Sequence, residues 1–160
     1  MPRIELQTES RAPREICFDL ARDIDWHVRS ATATREQAVA GVTHGLIGLG
    51  QEVTWRARHF GIWQHLTSRI VAFDPPRHFR DSMVSGAFAR MDHDHFFDAV
   101  DGRTLMRDVF DFTSPLGPLG RVADAVVLTR HMRAFLRARN QILKVEAEAR
   151  AAAASATGPW

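Results

Sequence analysis

Between Gln51 and Phe112 the chain alternates apolar and polar residues, and only turn-forming residues interrupt the pattern. QEVTWRARHF (51–60) sets Val53, Trp55, Ala57 and His59 against Thr54, Arg56, Arg58 and Phe60. IWQHLTSRIVAF (62–73) follows across Gly61 and stops at Asp74-Pro75-Pro76. HFRDSMVSGAF and ARMDHDHFFDAV meet near Ser85-Gly86, and TLMRDVFDF (104–112) follows the Asp101-Gly102 turn signal. A period of two is that of a half-buried strand, because successive side chains point to opposite faces. Strands joined by such short turns pair antiparallel, since a parallel pair needs a long crossover. TSPLGPLG then ends the pattern with two prolines and two glycines. From Arg121 to about Glu148 the spacing becomes helical, with Val122, Val126, Met132, Leu136 and Leu143 on one stripe beside Ala125, Phe135 and Arg139.

The N-terminal third adds a first strand and short helices. Ile4, Leu6 and Thr8 alternate with Glu5, Gln7 and Glu9 in IELQTES (4–10). Pro13 suits a helix start, with Ser10 as the upstream cap. Ile16, Leu20, Ile24 and Val28 have helical spacing, so one or two short helices run from Pro13 to about Ser30, broken near Asp23 to Asp25. AVAGVTHG (38–45) reads as a second strand. Gly45, Gly48 and Gly50 follow among apolar residues, without the Gly-Lys-Ser/Thr or the helix of a phosphate loop. This segment is expected to be a flexible loop able to act as a lid.

Helices that do not alternate with strands make the fold α+β. The economical arrangement is a curved antiparallel sheet of about six to seven strands around the long C-terminal helix, with two short helices after the first strand. A strongly curved sheet cannot close on a straight helix along its whole length, so a cavity between them is expected. Residues 1–149 form one expected domain, and 150–160 an unpacked tail.

Composition narrows the functional classes. The formal charge is only +2 despite a sequence pI near 9.4, and acids are interspersed among the arginines. No Lys/Arg block marks a nucleic-acid footprint. Cys17 is the single cysteine, which excludes an intramolecular disulfide and a Cys-x-x-Cys metal site. It reads as a packed helix residue. The N-terminus lacks the apolar core of a signal peptide, and no apolar run reaches the ~20 residues that span a bilayer. The expectation is a cytoplasmic protein, monomer or homodimer, with no stable membrane insertion. The exposed edge strand at 38–45 is where subunits can pair.

The chain resembles the START-like, or Bet v 1-like, superfamily, which includes the polyketide cyclase/dehydrase and lipid-transport proteins. The resemblance rests on GLIGLGQEVTWRARHFG, on IVAFDPPRHFRDSMV and on DGRTLMRDVFDFTSPLGPLG before the helix, and it covers roughly residues 3 to 147. It implies a helix-grip fold and an apolar cavity. Members bind lipids, sterols or hormones, or cyclise polyketides, and share no catalytic motif, so no catalytic residue carries over. The glycine-rich segment matches in position the loop that borders the cavity mouth, in keeping with the lid.

RMDHDHFF (90–97) holds the most informative polar residues. His93 and His95 share a face with Met91 and Phe97, so they are expected to point into the cavity, with Asp92 and Asp94 toward solvent. A His-x-His pair can give two nitrogen ligands to zinc, but spacing does not identify a third among His59, Asp81 and Asp108. No metal and no cofactor are therefore predicted. A pocket histidine can also act as a general acid or base, with Asp81 or Asp108 orienting its ring, so His93, His95 and Asp108 are the catalytic candidates. The plainer expectation is that the histidines are polar points in an apolar site for a small hydrophobic ligand. The expected lining is Trp55, His59, Asp81, Met83, Met91, His93, His95, Phe97, Met106, Phe110, Met132 and Leu136. His27, His44, His65, His78 and His131 have no motif around them and are expected at the surface or internally satisfied. For strand 104–112 two phases remain open: Met106, Asp108 and Phe110 inward, or Leu105, Arg107 and Val109.

Overall fold

A computed structural model of the chain describes residues 2–115 and 117–158, and of residues 118–125 the backbone alone. The order is β1 (Arg3–Ser10), α1 (Arg14–Ala21), α2 (Ile24–Ser30), β2 (Gln37–Gly41), β3 (Glu52–His59), β4 (Ile62–Asp74), β5 (His78–Ser85), β6 (Arg90–Val100), β7 (Arg103–Thr113) and α3 (Gly117–Ala156). The seven strands make one curved antiparallel sheet in the order β1-β7-β6-β5-β4-β3-β2. This is the α+β helix-grip arrangement read from the sequence.

Two tight turns set most of the register. Phe60-Gly61 and Asp101-Gly102 both have positive φ at both positions. That is the left-handed pair of a type I′ turn, whose twist matches the strands it joins. From the second turn, Val100 pairs with Arg103 and the ladder runs on to Arg90 opposite Thr113. Met106, Asp108 and Phe110 consequently face the helix side with Thr104 and Phe112, which decides the open phase of β7.

The core forms two adjoining clusters. One packs Cys17, Phe18, Leu20 and Ala21 of α1 against Phe79, Phe97, Met106, Leu143 and Ala147. Phe18 is its hub, with the rings of Phe73, Phe79 and Phe97 each 5.6 Å away. Cys17 is fully buried there, and burial raises its thiol pKa, so it is the inert packed residue expected. The other cluster joins Ile4, Leu6, Met91, Phe110 and Phe112 to Met132 and Leu136 of α3.

Several boundaries differ from the sequence reading. β2 ends at Gly41, not at residue 45. Residues 42–50 instead form an irregular segment in which Ile47 alone among its apolar residues is buried. Pro13 occupies the helix N-cap with no side-chain bond, while Ser10 Oγ accepts from the Ala12 N–H and does not cap α1. α3 begins at Gly117 rather than 121 and continues past 148 to Ala156. The cause at the far end is physical: Ala147 is fully buried and Ala151 packs beside it, extending the Leu143 stripe along α1. Alanine also has the highest helix propensity, so 150–156 stays helical where a frayed tail was expected. Val126, expected on the buried stripe, is exposed. The side chains of Val122 and Ala125 lie outside the described residues.

Candidate functional site

Between the concave face of the sheet and α3 lies a cavity of about 450 Å³. Its walls are largely apolar, from Ile24 and Ile47 through Val53, Trp55, Leu66, Ile70 and Phe79 to Met132 and Leu136. Of the residues expected to line it, Trp55, His59, Asp81, Met91, His93, His95, Phe110, Met132 and Leu136 do so. Met83, Phe97 and Met106 do not. Phe97 and Met106 are taken up by the α1 cluster, and Met83 packs against the neighbouring one. Asp108 lies behind the histidines, on a second and much smaller void bordered by Asn140 and Leu143.

The sheet register assembles the polar end. Asp81 of β5 stands opposite His93, and Asp108 of β7 stands opposite His95. Each aspartate is thus the direct neighbour of one histidine and the diagonal neighbour of the other. His95 Nε2 donates to Asp81 Oδ1 at 3.0 Å, and His93 Nε2 donates to Asp108 Oδ1 at 3.0 Å. His95 Nδ1 is 3.1 Å from that same Asp108 oxygen. The two imidazole centres are 3.8 Å apart, and Phe79 stacks on His95 at 4.3 Å. Behind them Asn140 of α3 donates to Asp108 Oδ2 at 2.6 Å, tying the helix to the sheet.

The charge states follow from burial and partners. Burial pushes both carboxyls up, but the imidazole hydrogen bonds and charges outweigh it. Asp81 and Asp108 are therefore held below the usual carboxylate range, Asp108 far below. Burial and the charge of His95 lower His93, against the pull of Asp108. His95 is raised, because two flanking carboxylates overcome the burial that would lower it. The two rings are thus shifted in opposite directions, His93 down and His95 up. Asp94, expected in solvent, is buried on the outer face. Arg80 grips it through Nε and Nη2 at 2.8 and 2.7 Å, and His78 Nε2 bonds it at 2.7 Å.

Three histidines expected at the surface or internally satisfied are at the cavity wall: His27, His65 and His131. His27 bonds Glu36 through Nε2 and stacks on Trp55 at 4.2 Å. His131 Nε2 is 3.2 Å from His59 Nδ1, and burial lowers both rings. Glu36 is a buried carboxylate that the sequence reading missed. Arg139 was placed beside the helix stripe without a role, yet it lines the cavity, and its Nε is buried with no hydrogen-bond partner among the described residues. Asn140 was also missed. The available signal was its place between Leu136 and Leu143 on the buried stripe.

No family model and no curated protein matches the sequence. Solved structures do match. Protein TTHA0849 of Thermus thermophilus superposes with a TM-score of 0.77 at 16% identity, over 92% of this chain and 98% of that one. The Zhui aromatase/cyclase of Streptomyces sp. R1128 gives 0.72 at 16%, over 93% and 94%. A START superfamily protein of Mycobacterium smegmatis gives 0.59 at 10%, over 87% and 98%. At such identities the likeness is one of fold. Among the described residues no helix is long and apolar enough to cross a membrane. In its seven-stranded sheet, its two short helices and its long C-terminal helix, the chain has the helix-grip fold of these structures.

Proposed function

We propose that this protein binds a small amphipathic molecule, lipid- or polyketide-like, in the cavity between sheet and α3. The carrying observation is a cavity of about 450 Å³ with apolar walls and the Asp81–His93–His95 group at one place in its lining. Ligand sites are typically hollows of this size, about 300–1,000 Å³, with a few convergent polar groups. The apolar wall binds the body of such a ligand, and the imidazoles fix its polar end. Ile47 closes the wall from the lid segment: its N–H bonds Arg22 O at 3.1 Å, and Arg22 Nη1 reaches back to Ile47 O at 3.2 Å. A native mass spectrum of gently purified protein tests the reading. An added mass of a few hundred daltons that leaves on unfolding supports it. A bare chain that also fails to bind fatty acids or aromatic polyketide mimics by calorimetry rejects it.

The second reading is acid/base catalysis of the cyclisation or dehydration kind. The observation in its favour is that Asp108 holds His93 by Nε2, which leaves Nδ1 as a free base on a cavity-lining residue. His93→Gln and His95→Gln together separate the two readings. A carrier retains partial binding, whereas an enzyme loses turnover of any substrate found.

A further inference from the structure

The polar end of the cavity has the donor set of a metal centre, whatever organic ligand the cavity takes. One ligand atom each from Asp81, His93 and His95 can be chosen so that all lie within 4.8 Å of one another. The hydrogen bonds to Asp108 point to which nitrogen of each ring is turned toward Asp81. Asp108 Oδ1 accepts from His93 Nε2 and lies 3.1 Å from His95 Nδ1, so one carboxylate oxygen engages one nitrogen of each ring. The nitrogens turned the other way are His93 Nδ1 and His95 Nε2, and they lie 3.9 and 3.0 Å from Asp81 Oδ1. Tetrahedral zinc with bonds of 2.0–2.1 Å places its donors about 3.3 Å apart, between those two distances.

The surroundings are those a metal site requires. Metal-bound histidines almost always give the second ring nitrogen to a carboxylate or carbonyl, which fixes the tautomer. Asp108 does this for both rings, and Asn140 holds Asp108 in turn. All three donors line the cavity, whereas Asp108 does not, so the ligands are on the open side and their support is behind. Three protein ligands leave a coordination position for a molecule from the cavity, as in catalytic rather than structural zinc sites. Arg139, on the same cavity lining, adds a buried Nε with no hydrogen-bond partner among the described residues, which suits an anionic oxygen on that molecule.

We infer that Asp81 Oδ1, His93 Nδ1 and His95 Nε2 bind a divalent first-row metal ion, with Asp108 orienting both imidazoles and one position open to the cavity. Zinc is the probe. The full chain is stripped with chelator, loaded with Zn²⁺, freed of excess by gel filtration and assayed for metal. One zinc per chain is expected, lost in Asp81→Asn and His95→Gln and kept in His78→Gln. Asp108→Asn is expected to weaken binding roughly 10- to 100-fold without abolishing it. Imidazole ¹⁵N spectra of the wild-type chain decide the case without any variant: zinc must move His93 Nδ1 and His95 Nε2 and leave the His59–His131 pair unmoved. No stoichiometric zinc, or zinc that shifts other rings instead, overturns the proposal. Either result leaves lipophile retention in the native mass spectrum unaffected, so the two readings fail separately.

Discussion

At the scale of single residues, Asp108 is the most heavily engaged group of this site. It is buried, charged, and held by His93, His95 and Asn140 at once. Removing one partner of a buried ion pair leaves the other uncompensated and costs about 3–5 kcal/mol. Asp108→Ala is expected to lose stability on that scale in urea titration, and a loss under about 1 kcal/mol contradicts the network. Glu36 makes a separate prediction in acid. Burial alone would raise it, but the charge and hydrogen bond of His27 outweigh burial and lower it. A carboxyl depressed in the folded state adds stability above its unfolded pKa of about 4.3, and that stability is lost as pH falls through the lower folded value. Between about pH 5.5 and pH 3 the urea midpoint should therefore fall further in the wild type than in Glu36→Gln. Equal falls would exclude the depressed carboxylate. The inward His93 and His95 were legible because Met91 and Phe97 share their face. The side taken by Asp108 was left open, and the register from the Asp101-Gly102 turn decides it by setting Asp108 opposite His95. Glu36 was not legible, because it precedes a short strand with no pattern of its own. Asp94 misled because its burial depends on Arg80 and His78 of the neighbouring strand.

Among the elements, α3 shows what periodicity conveys and where it fails. Met132, Leu136 and Leu143 announced the buried stripe, and all three are buried. The ends were illegible for opposite reasons. At the start, Pro118 and two glycines resemble a loop, yet proline is accepted in a first helical turn. At the end, an alanine run has no hydrophobic contrast, so a packed Ala147 cannot be told from an exposed Ala153 by pattern. Packing tells them apart. Ala147→Leu forces extra methylenes between α3 and α1 and is expected to cost about 1–3 kcal/mol. Ala153→Leu, on the exposed side, should change stability by less than about 0.5 kcal/mol. Thermal unfolding of the two variants checks the pair, and equal effects would mean that the last turns of α3 do not dock.

For the molecule as a whole, the order of strands and helices was enough to give the architecture, and the expectation of a cavity came from geometry rather than from any residue. The size of that cavity was not legible, because it depends on how far the sheet curves and on which large side chains the α1 cluster takes up. Phe97 and Met106 were expected to line the cavity and instead pack around Phe18. A dry core and a ligand cavity thus use the same residue types and differ in whether space is left over. That difference can be measured. Ala57 is buried on β3 and lines the cavity. In a close-packed core, Ala57→Phe would overpack and lower stability by about 1–3 kcal/mol. In an open cavity the new ring finds apolar neighbours and room, so Tm should hold or rise while affinity for an apolar fluorescent dye drops at least tenfold. A lowered Tm with unchanged dye binding would place the dye elsewhere and make this region core. A held Tm with lost binding would identify the space enclosed by β3, β6 and α3 as the site the fold exists to create.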